Sequence, residues 1–201
     1  MTESKISALR EDMRTHMDEK RYAHTLGVEK EMRRLAQILS PELIPYAAIA
    51  GLLHDVTKRW RLDEQLAYCE AHGLHVDDDE RIAPALLHAK TGAHYARVNY
   101  PDLVSPEIID AIERHTTAHP PLSLLAAMLF VADFTEEGRT YPDCVALREF
   151  LNEKELSLSH FKSVVIRALD VSLGELLRDG RPIALRTVEA RNAMLADECL
   201  F

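Results

Sequence analysis

Cysteine is scarce and scattered. Cys69, Cys144 and Cys199 are the whole complement, and no two of them stand in CxxC spacing. An odd number of distant thiols argues against a disulfide framework and a thiolate zinc cluster, so they read as the reduced thiols of a cytoplasmic protein. Basic charge is also in deficit. With 24 Lys and Arg against 33 Asp and Glu, a net charge of −9, the chain offers no broad basic field for a nucleic-acid duplex. An anionic ligand would have to be held by local cations or metal ions. No apolar stretch reaches the length of a membrane span, and the segment from Met1 to Glu19 is charged throughout, without the apolar core of a signal peptide. Alternating strand patterns, hairpin turns, internal repeats and low-complexity linkers are missing as well.

What remains is helical patterning in a chain of 201 residues, 47% apolar and 28% charged, which is long enough for one soluble domain with a full core. Ile6, Leu9, Met13 and Met17 recur at helical spacing and predict an amphipathic covering helix. A second pattern runs from Glu19 to Leu39 through Tyr22, Leu26, Leu35 and Leu39, with His24 near its start. Ser40-Pro41-Glu42 and Ser105-Pro106-Glu107 have the look of an N-cap followed by Pro at the first helical position. Further helices are expected over Leu62–His72, stopped by Gly73, then Arg81–Leu87, Lys90–Tyr100, Pro106–Arg114, Leu122–Phe134, Cys144–Glu155, Ser159–Arg178 and Leu185–Leu200. The acidic run Asp77-Asp78-Asp79-Glu80 reads as a solvated cap on the Arg81 helix, since consecutive acids cannot all face one ion. The expected fold is an all-α, single-domain helical bundle spanning residues 1–201.

The bundle is organised around Leu52-Leu53-His54-Asp55, which closes the apolar run Tyr46 to Gly51. A helix that is apolar on every face belongs in the middle of a domain. An ionised Asp at its end loses hydration worth several kcal/mol unless a cation compensates. A metal ion beside His54 is one such compensator, and a salt bridge to Lys58 is the alternative. Asp133 repeats the situation at the end of the apolar stretch Leu122–Phe134. His24, His88 and His115 also stand near ends of separate helical segments, and helix ends of a bundle converge readily. Four imidazoles and two carboxylates suffice for two metal ions a few ångströms apart, the arrangement that clamps phosphoryl oxygens and generates hydroxide. Nitrogen and oxygen ligands without thiolate favour iron, manganese or a similar divalent ion.

This order of residues resembles the HD-domain superfamily of metal-dependent phosphohydrolases, and the two additional histidines resemble its dinuclear branch. The segments RYAHTLGV, AGLLHDVTK, LLHAKTGAHYAR, IIDAIERHTT and MLFVADFTEEGR are similar to the YqeK family, the bacterial symmetrical bis(5'-nucleosyl)-tetraphosphatases, over about Lys20 to Arg148. The resemblance implies an all-helical enzyme with a metal centre between its helices that splits diadenosine tetraphosphate into two ADP. It implies two divalent ions, iron first, with manganese, cobalt, nickel or zinc as alternatives. His24, His54, Asp55 and Asp133 would hold one ion and Asp55, His88 and His115 the other, with Asp55 as bridge. Asp55, Lys58 and Arg139 would carry the chemistry, and Lys58, Thr116, His119 and Arg139 would touch the substrate. Where the family has a Gly soon after its His-Thr pair, this chain has Thr117-Ala118-His119-Pro120.

Competing readings are a mononucleotide phosphohydrolase of the same superfamily and a nucleotide-binding regulator without turnover; a homodimer is compatible with each. His16, His72, His75, His94 and His160 read as surface residues, and Trp60 as a packing residue with adenine stacking as its alternative.

Overall fold

The segment expected at the centre of the protein is there. The computed structural model describes residues 2–196, which form eleven α-helices and two 3-10 turns, with no strand among them. In α3 (Ile44–Leu53), every residue from Ala47 to Leu53 is buried. It lies against α1 (Glu3–His16), α2 (Glu19–Leu39), α6 (Leu87–Asn99), α7 (Pro106–Arg114) and α8 (Leu124–Thr135). The second such helix, α8, apolar except for Asp133 and Thr135, is buried without interruption from Leu125 to Ala132 and packs against α2, α3 and α7. One continuous core therefore runs from Ile6 to Met194 through both helices. Each large side chain that it removes from water, such as Met32, Leu52 or Phe130, contributes about 1.5–3 kcal/mol.

The tightest packing is between α2 and α3. A Cβ on Gly51 would lie 2.9 Å from the Glu29 Cα, so at this contact only glycine lets the two backbones meet. The covering role expected of α1 is also seen. Ile6, Leu9 and Met13 are buried, and Arg10 reaches across to the buried Glu29 with contacts of 2.6 and 2.7 Å. Arg33 adds a third hydrogen bond to the same carboxylate at 2.8 Å.

Several boundaries and environments differ from expectation. Along α2 the buried face is Val28, Met32, Leu35 and Ala36, while Tyr22, Leu26 and Leu39 pack at its edge. Ser40 points its hydroxyl at the Glu42 side chain and caps no backbone N–H. The expected Arg81–Leu87 helix is instead a short α5 (Asp78–Ile82) and a 3-10 turn (Pro84–Leu86), with α6 following directly. The cause is Pro84, which lacks an N–H and disfavours helical backbone at the preceding residue; Ala83 has φ −127° and ψ 71°. His88 accordingly opens α6.

The acidic run does cap α5, with Asp77 accepting from the Glu80 N–H, but of its four acids only Asp78 is fully solvated. Glu80 is buried against Lys90, and Arg186 pairs with Asp77 at 2.6 Å and Asp79 at 3.2 Å. This network ties α5 to α6 and to α11 (Leu185–Leu195). The other late helices are α9 (Pro142–Leu151) and α10 (Leu158–Arg178); residues 197–200 of the expected last helix, and Cys199, lie outside the described residues. His160 is buried, contrary to expectation, because its ring packs edge-on against Phe150 and its Nε2 lies 3.1 Å from that residue's carbonyl oxygen. His94, read as a surface residue, is half-buried and shares a 2.9 Å hydrogen bond with the Tyr68 hydroxyl. Trp60 packs edge-on against Tyr68 and Tyr95, as a packing residue should. No helix among the described residues is long and apolar enough to cross a membrane.

Candidate metal centre

The apolar α3 delivers His54 at its C-terminal cap, with Asp55 next in the turn that follows. His115 caps the C-terminus of α7, His88 opens α6, His24 sits in α2 and Asp133 lies in the last turn of α8. The ligating atoms of His24, His54 and Asp133 lie within 4.8 Å of one another, and so do those of Asp55, His88 and His115. All six residues singled out in the sequence thus come together, in two triads.

Three of the imidazoles are oriented by the same device. The Nδ1 of His54 lies 2.8 Å from the Gly51 carbonyl, that of His88 2.6 Å from Ala85, and that of His115 2.6 Å from Ile112. A carbonyl only accepts, so each Nδ1 carries a proton, which leaves Nε2 as the ring's ligating atom. Those atoms are aimed inward. His88 Nε2 and His115 Nε2 are 3.0 Å apart, and both face Asp55 Oδ1, at 3.2 and 3.6 Å. His54 Nε2, 3.5 Å from Asp55 Oδ2, is buried without a hydrogen-bond partner, as is Asp55 Oδ1. Converging bare acceptors in a water-poor site repel one another unless a cation lies among them. Donation of the distal ring N–H to a backbone carbonyl is the usual support of a metal-ligating His. The donor set therefore fits a pair of divalent ions, and neither triad includes the buried Cys69 or Cys144.

Burial drives the His54 and His88 imidazoles down to about 4, in spite of the neighbouring Asp55, so both are neutral and ready to ligate at pH 7. Burial alone would raise the carboxyls of Asp55 and Asp133. The surrounding imidazoles, joined at Asp133 by Arg139, hold both well below the usual carboxylate range. His24 behaves differently. Burial opposes its charge, but the carboxylates of Asp133 and Glu136 outweigh this and raise it to about 9.

Two residues of the site were not singled out in the sequence. Glu136 lies 3.1 Å from His24 Nδ1 through Oε1, while its Oε2 accepts the Gly138 N–H at 2.6 Å. Arg21, one turn before His24, pairs with Asp55 Oδ2. It, and not Lys58, is the salt-bridge partner of that carboxylate. Lys58 instead brings its Nζ to within 3.0 Å of His88 Nε2, and burial lowers its pKa. Arg139 reaches Asp133 with both its Nε, 2.8 Å from the carbonyl, and its Nη2, 2.5 Å from Oδ1. The remaining substrate candidates lie in the segment that follows the ligand His115. Thr116 lines a cavity of about 180 Å³ shared with Ala85, Leu176 and Arg181. His119 is half-buried, with Nδ1 2.9 Å from Thr117 Oγ1 and its carbonyl held by Arg114. Ala118, in the loop that follows His115-Thr116, takes a left-handed φ of 50°, a conformation that costs an L-residue roughly 1–2 kcal/mol.

The HD domain family matches residues 21–138, a span that includes all six triad residues. A protein of Halalkalibacterium halodurans named symmetrical bis(5'-nucleosyl)-tetraphosphatase is 27% identical over 92% of this chain and 95% of its own. A protein of the same name from Bacillus subtilis is 30% identical over 76% of this chain and 80% of its own. Among solved structures, a predicted HD superfamily hydrolase involved in NAD metabolism from Clostridium acetobutylicum superimposes with a TM-score of 0.83 at 28% identity, over 98% of both chains. This chain belongs to the HD-domain family of hydrolases.

Proposed function

We propose that this protein is a symmetrical dinucleoside tetraphosphatase that converts diadenosine tetraphosphate into two ADP. The observation that carries the reading is Asp55, whose two oxygens face different triads, Oδ1 towards His88 and His115 and Oδ2 towards His54. A carboxylate so placed suits two ions, one on each side, and the named function of the two bacterial relatives supplies the substrate. When bound, two divalent ions would supply Lewis acidity at a phosphoryl oxygen and a water acidic enough to react near neutral pH. Iron is the expected metal, with manganese, cobalt, nickel and zinc as alternatives.

The protein's own part is to place and balance charge. His24, His54 and Asp133 form one ligand set, Asp55, His88 and His115 the other, and Asp55 joins them. Glu136 fixes the His24 ring. Lys58 and Arg139, each beside a ligand residue, are placed to take non-bridging phosphate oxygens. ADP leaves readily, so the reaction asks for no strong general acid.

The test is product analysis after incubating iron-reconstituted protein with diadenosine tetraphosphate, beside His54→Ala and Asp55→Ala. ADP as sole product, lost in both variants, is the expected result. ATP with AMP would refute the symmetrical cut, and turnover confined to nucleoside monophosphates would refute the substrate class.

A further inference from the structure

Both carboxylates of the metal centre already have a cation on them. Arg21 Nη1 pairs with Asp55 Oδ2, the oxygen that faces His54. Arg139 Nη2 is 2.5 Å from Asp133 Oδ1 and 3.5 Å from His24 Nε2. These contacts fall on the ligand atoms of one triad, His24, His54 and Asp133, and on the side of Asp55 that faces it. The opposite side of Asp55 is different: Oδ1, towards His88 and His115, is buried and unpartnered. The two triads are therefore unequally prepared for a metal ion: in one a guanidinium competes for the carboxylate oxygens, while in the other the nearby cation, Lys58, lies 3.0 Å from the His88 Nε2 and leaves the carboxylate oxygen to the ion.

The guanidiniums are not locked in. Arg21 and Arg139 keep about a third of their side-chain surface exposed, 29% and 31%, and both line the same cleft of about 670 Å³. Lys20 and Arg59 line it too. The three acids on its wall are engaged with other partners: Asp18 with Arg59 at 3.1 Å, Glu137 with Lys30 at 2.7 Å and Glu136 with His24. In a chain of net charge −9 this cleft carries four basic side chains on its wall, beside the ligand residue His24. A guanidinium moved off a carboxylate there meets water or an anion, and its planar fork suits phosphate as well as it suits carboxylate.

We infer that Arg21 and Arg139 are exchange groups, which neutralise Asp55 and Asp133 until a divalent ion takes those carboxylates and then hold the phosphate chain of the substrate in the cleft. The inference rests on the proposed polyphosphate substrate. Its consequence is that the ion on the His24 triad and the polyphosphate bind with positive coupling, because each relieves a charge conflict set up by the other. Coupling between two ligands is reciprocal, so each must tighten the other by the same factor.

Removing an exchange group has effects of opposite sign on its two ligands, which a merely structural arginine would not show. The test uses the full-length protein with Mn²⁺, read by electron paramagnetic resonance of the free ion, and with methylenebisphosphonate as a non-hydrolysable anion whose own Mn²⁺ complex is measured in buffer and subtracted. In the wild type, two Mn²⁺ should bind unequally, and the anion should tighten the weaker one by about tenfold. Arg21→Gln and Arg139→Gln, made separately, should each tighten the weaker Mn²⁺ without anion, and each should weaken anion binding to the Mn²⁺-loaded protein by about tenfold. Equal Mn²⁺ constants in the wild type overturn the inference. So does a weaker constant that both variants leave unchanged or loosen. Activity is read separately: these constants with no ADP formed would refute the proposed function and keep the exchange, whereas ADP formed without them would do the reverse.

Discussion

Gly27→Ala tests how the least obvious member of the site, Glu136, is held. Gly27 is one turn after His24 on α2, and an ideal Cβ built on it would lie 2.3 Å from Glu136 Oε2 and 3.0 Å from its Cδ. The carboxylate cannot step aside without loss, because Oε2 accepts the Gly138 N–H at 2.6 Å and Oε1 lies 3.1 Å from His24 Nδ1. A methyl group at position 27 must therefore push Glu136 off one or both partners. Losing charge-assisted hydrogen bonds of a carboxylate that is only 4% exposed costs about 1.5–3 kcal/mol each. Alanine's better helix propensity returns about 1 kcal/mol. The net is a destabilisation of roughly 0.5–5 kcal/mol, from loss of one bond to loss of both, or about 1–20 °C in the melting temperature of a chain this size. The larger effect falls on function. A ligating His deprived of the group that orients its ring typically loses 10- to 100-fold in metal affinity. Calorimetric melting and Mn²⁺ titration of Gly27→Ala should show both losses, and Glu136→Gln, which leaves the space unchanged, should show the affinity loss with a smaller change in stability. A Gly27→Ala protein that melts and binds Mn²⁺ like the wild type would refute the argument.

The histidines predict a stability profile for the metal-free protein with a limb on each side. Unfolded His takes up a proton near 6.5, but folded His54 and His88 do so only at about 4, so stability falls as the pH drops from 6.5 towards 4. His24 holds its proton to about 9, so its contribution is complete below 6.5 and is lost as the pH rises through 9. Urea unfolding at a series of pH values should show both limbs, with His24→Asn removing only the alkaline one; a denaturation midpoint that is flat between pH 6.5 and 4 would contradict the acid limb. At the other end of the molecule, Arg186→Gln takes away the partner of Asp77 and Asp79. With Arg186 about one-fifth exposed, the loss should be about 1–2 kcal/mol in chemical denaturation, below the 3–5 kcal/mol of a fully buried pair. Mn²⁺ affinity should be unchanged, since none of these residues belongs to either triad.

The residues that could be read from the sequence are those whose environment is set by their own segment. Asp55 and Asp133 stood out because the helices leading to them are apolar all round, a pattern visible without knowing any partner. The bounds of α2 and α7 could be read for the same reason, since cap residue, apolar period and stop all lie within the segment. What the sequence hides depends on contacts between distant segments. The run 77–80 has the composition of a solvated cap until Arg186, more than a hundred residues later, folds against it. His160 has no local sign of burial; Phe150 provides it. Lys58 was the natural partner for Asp55 from its spacing along the chain, but Arg21 on α2 arrives from the other side.

The same division runs through the metal centre itself. For His54, His88 and His115, the acceptor that fixes the ring is the carbonyl three residues earlier, on Gly51, Ala85 and Ile112. The Gly51 and Ile112 carbonyls stand in the last turn of their helices, where acceptors are incompletely used, and the Ala85 carbonyl lies in the turn that leads into α6, so each has a lone pair for the ring Nδ1–H and the Nε2 turns inward. Position at a segment end is thus part of the ligand's chemistry, which is why those residues are recognisable in the sequence. His24 lies inside α2, where the earlier carbonyls are taken up by the helix, and it has to borrow its acceptor from the turn after α8. That loan requires Gly27 and Gly138 to leave room for the Glu136 side chain, three residues from two segments whose common purpose shows only when α2 and α8 are side by side. His24 is also the one ligand held by a carboxylate on each ring nitrogen, with Asp133 at 3.0 Å and Glu136 at 3.1 Å, and the one whose pKa is raised. The triad that contains it is the one covered by Arg21 and Arg139. Local structure therefore prepares His54 together with the Asp55, His88 and His115 side of the centre, while tertiary contacts and charge balance prepare His24 and Asp133, and it is there that a substrate's own charge has leverage.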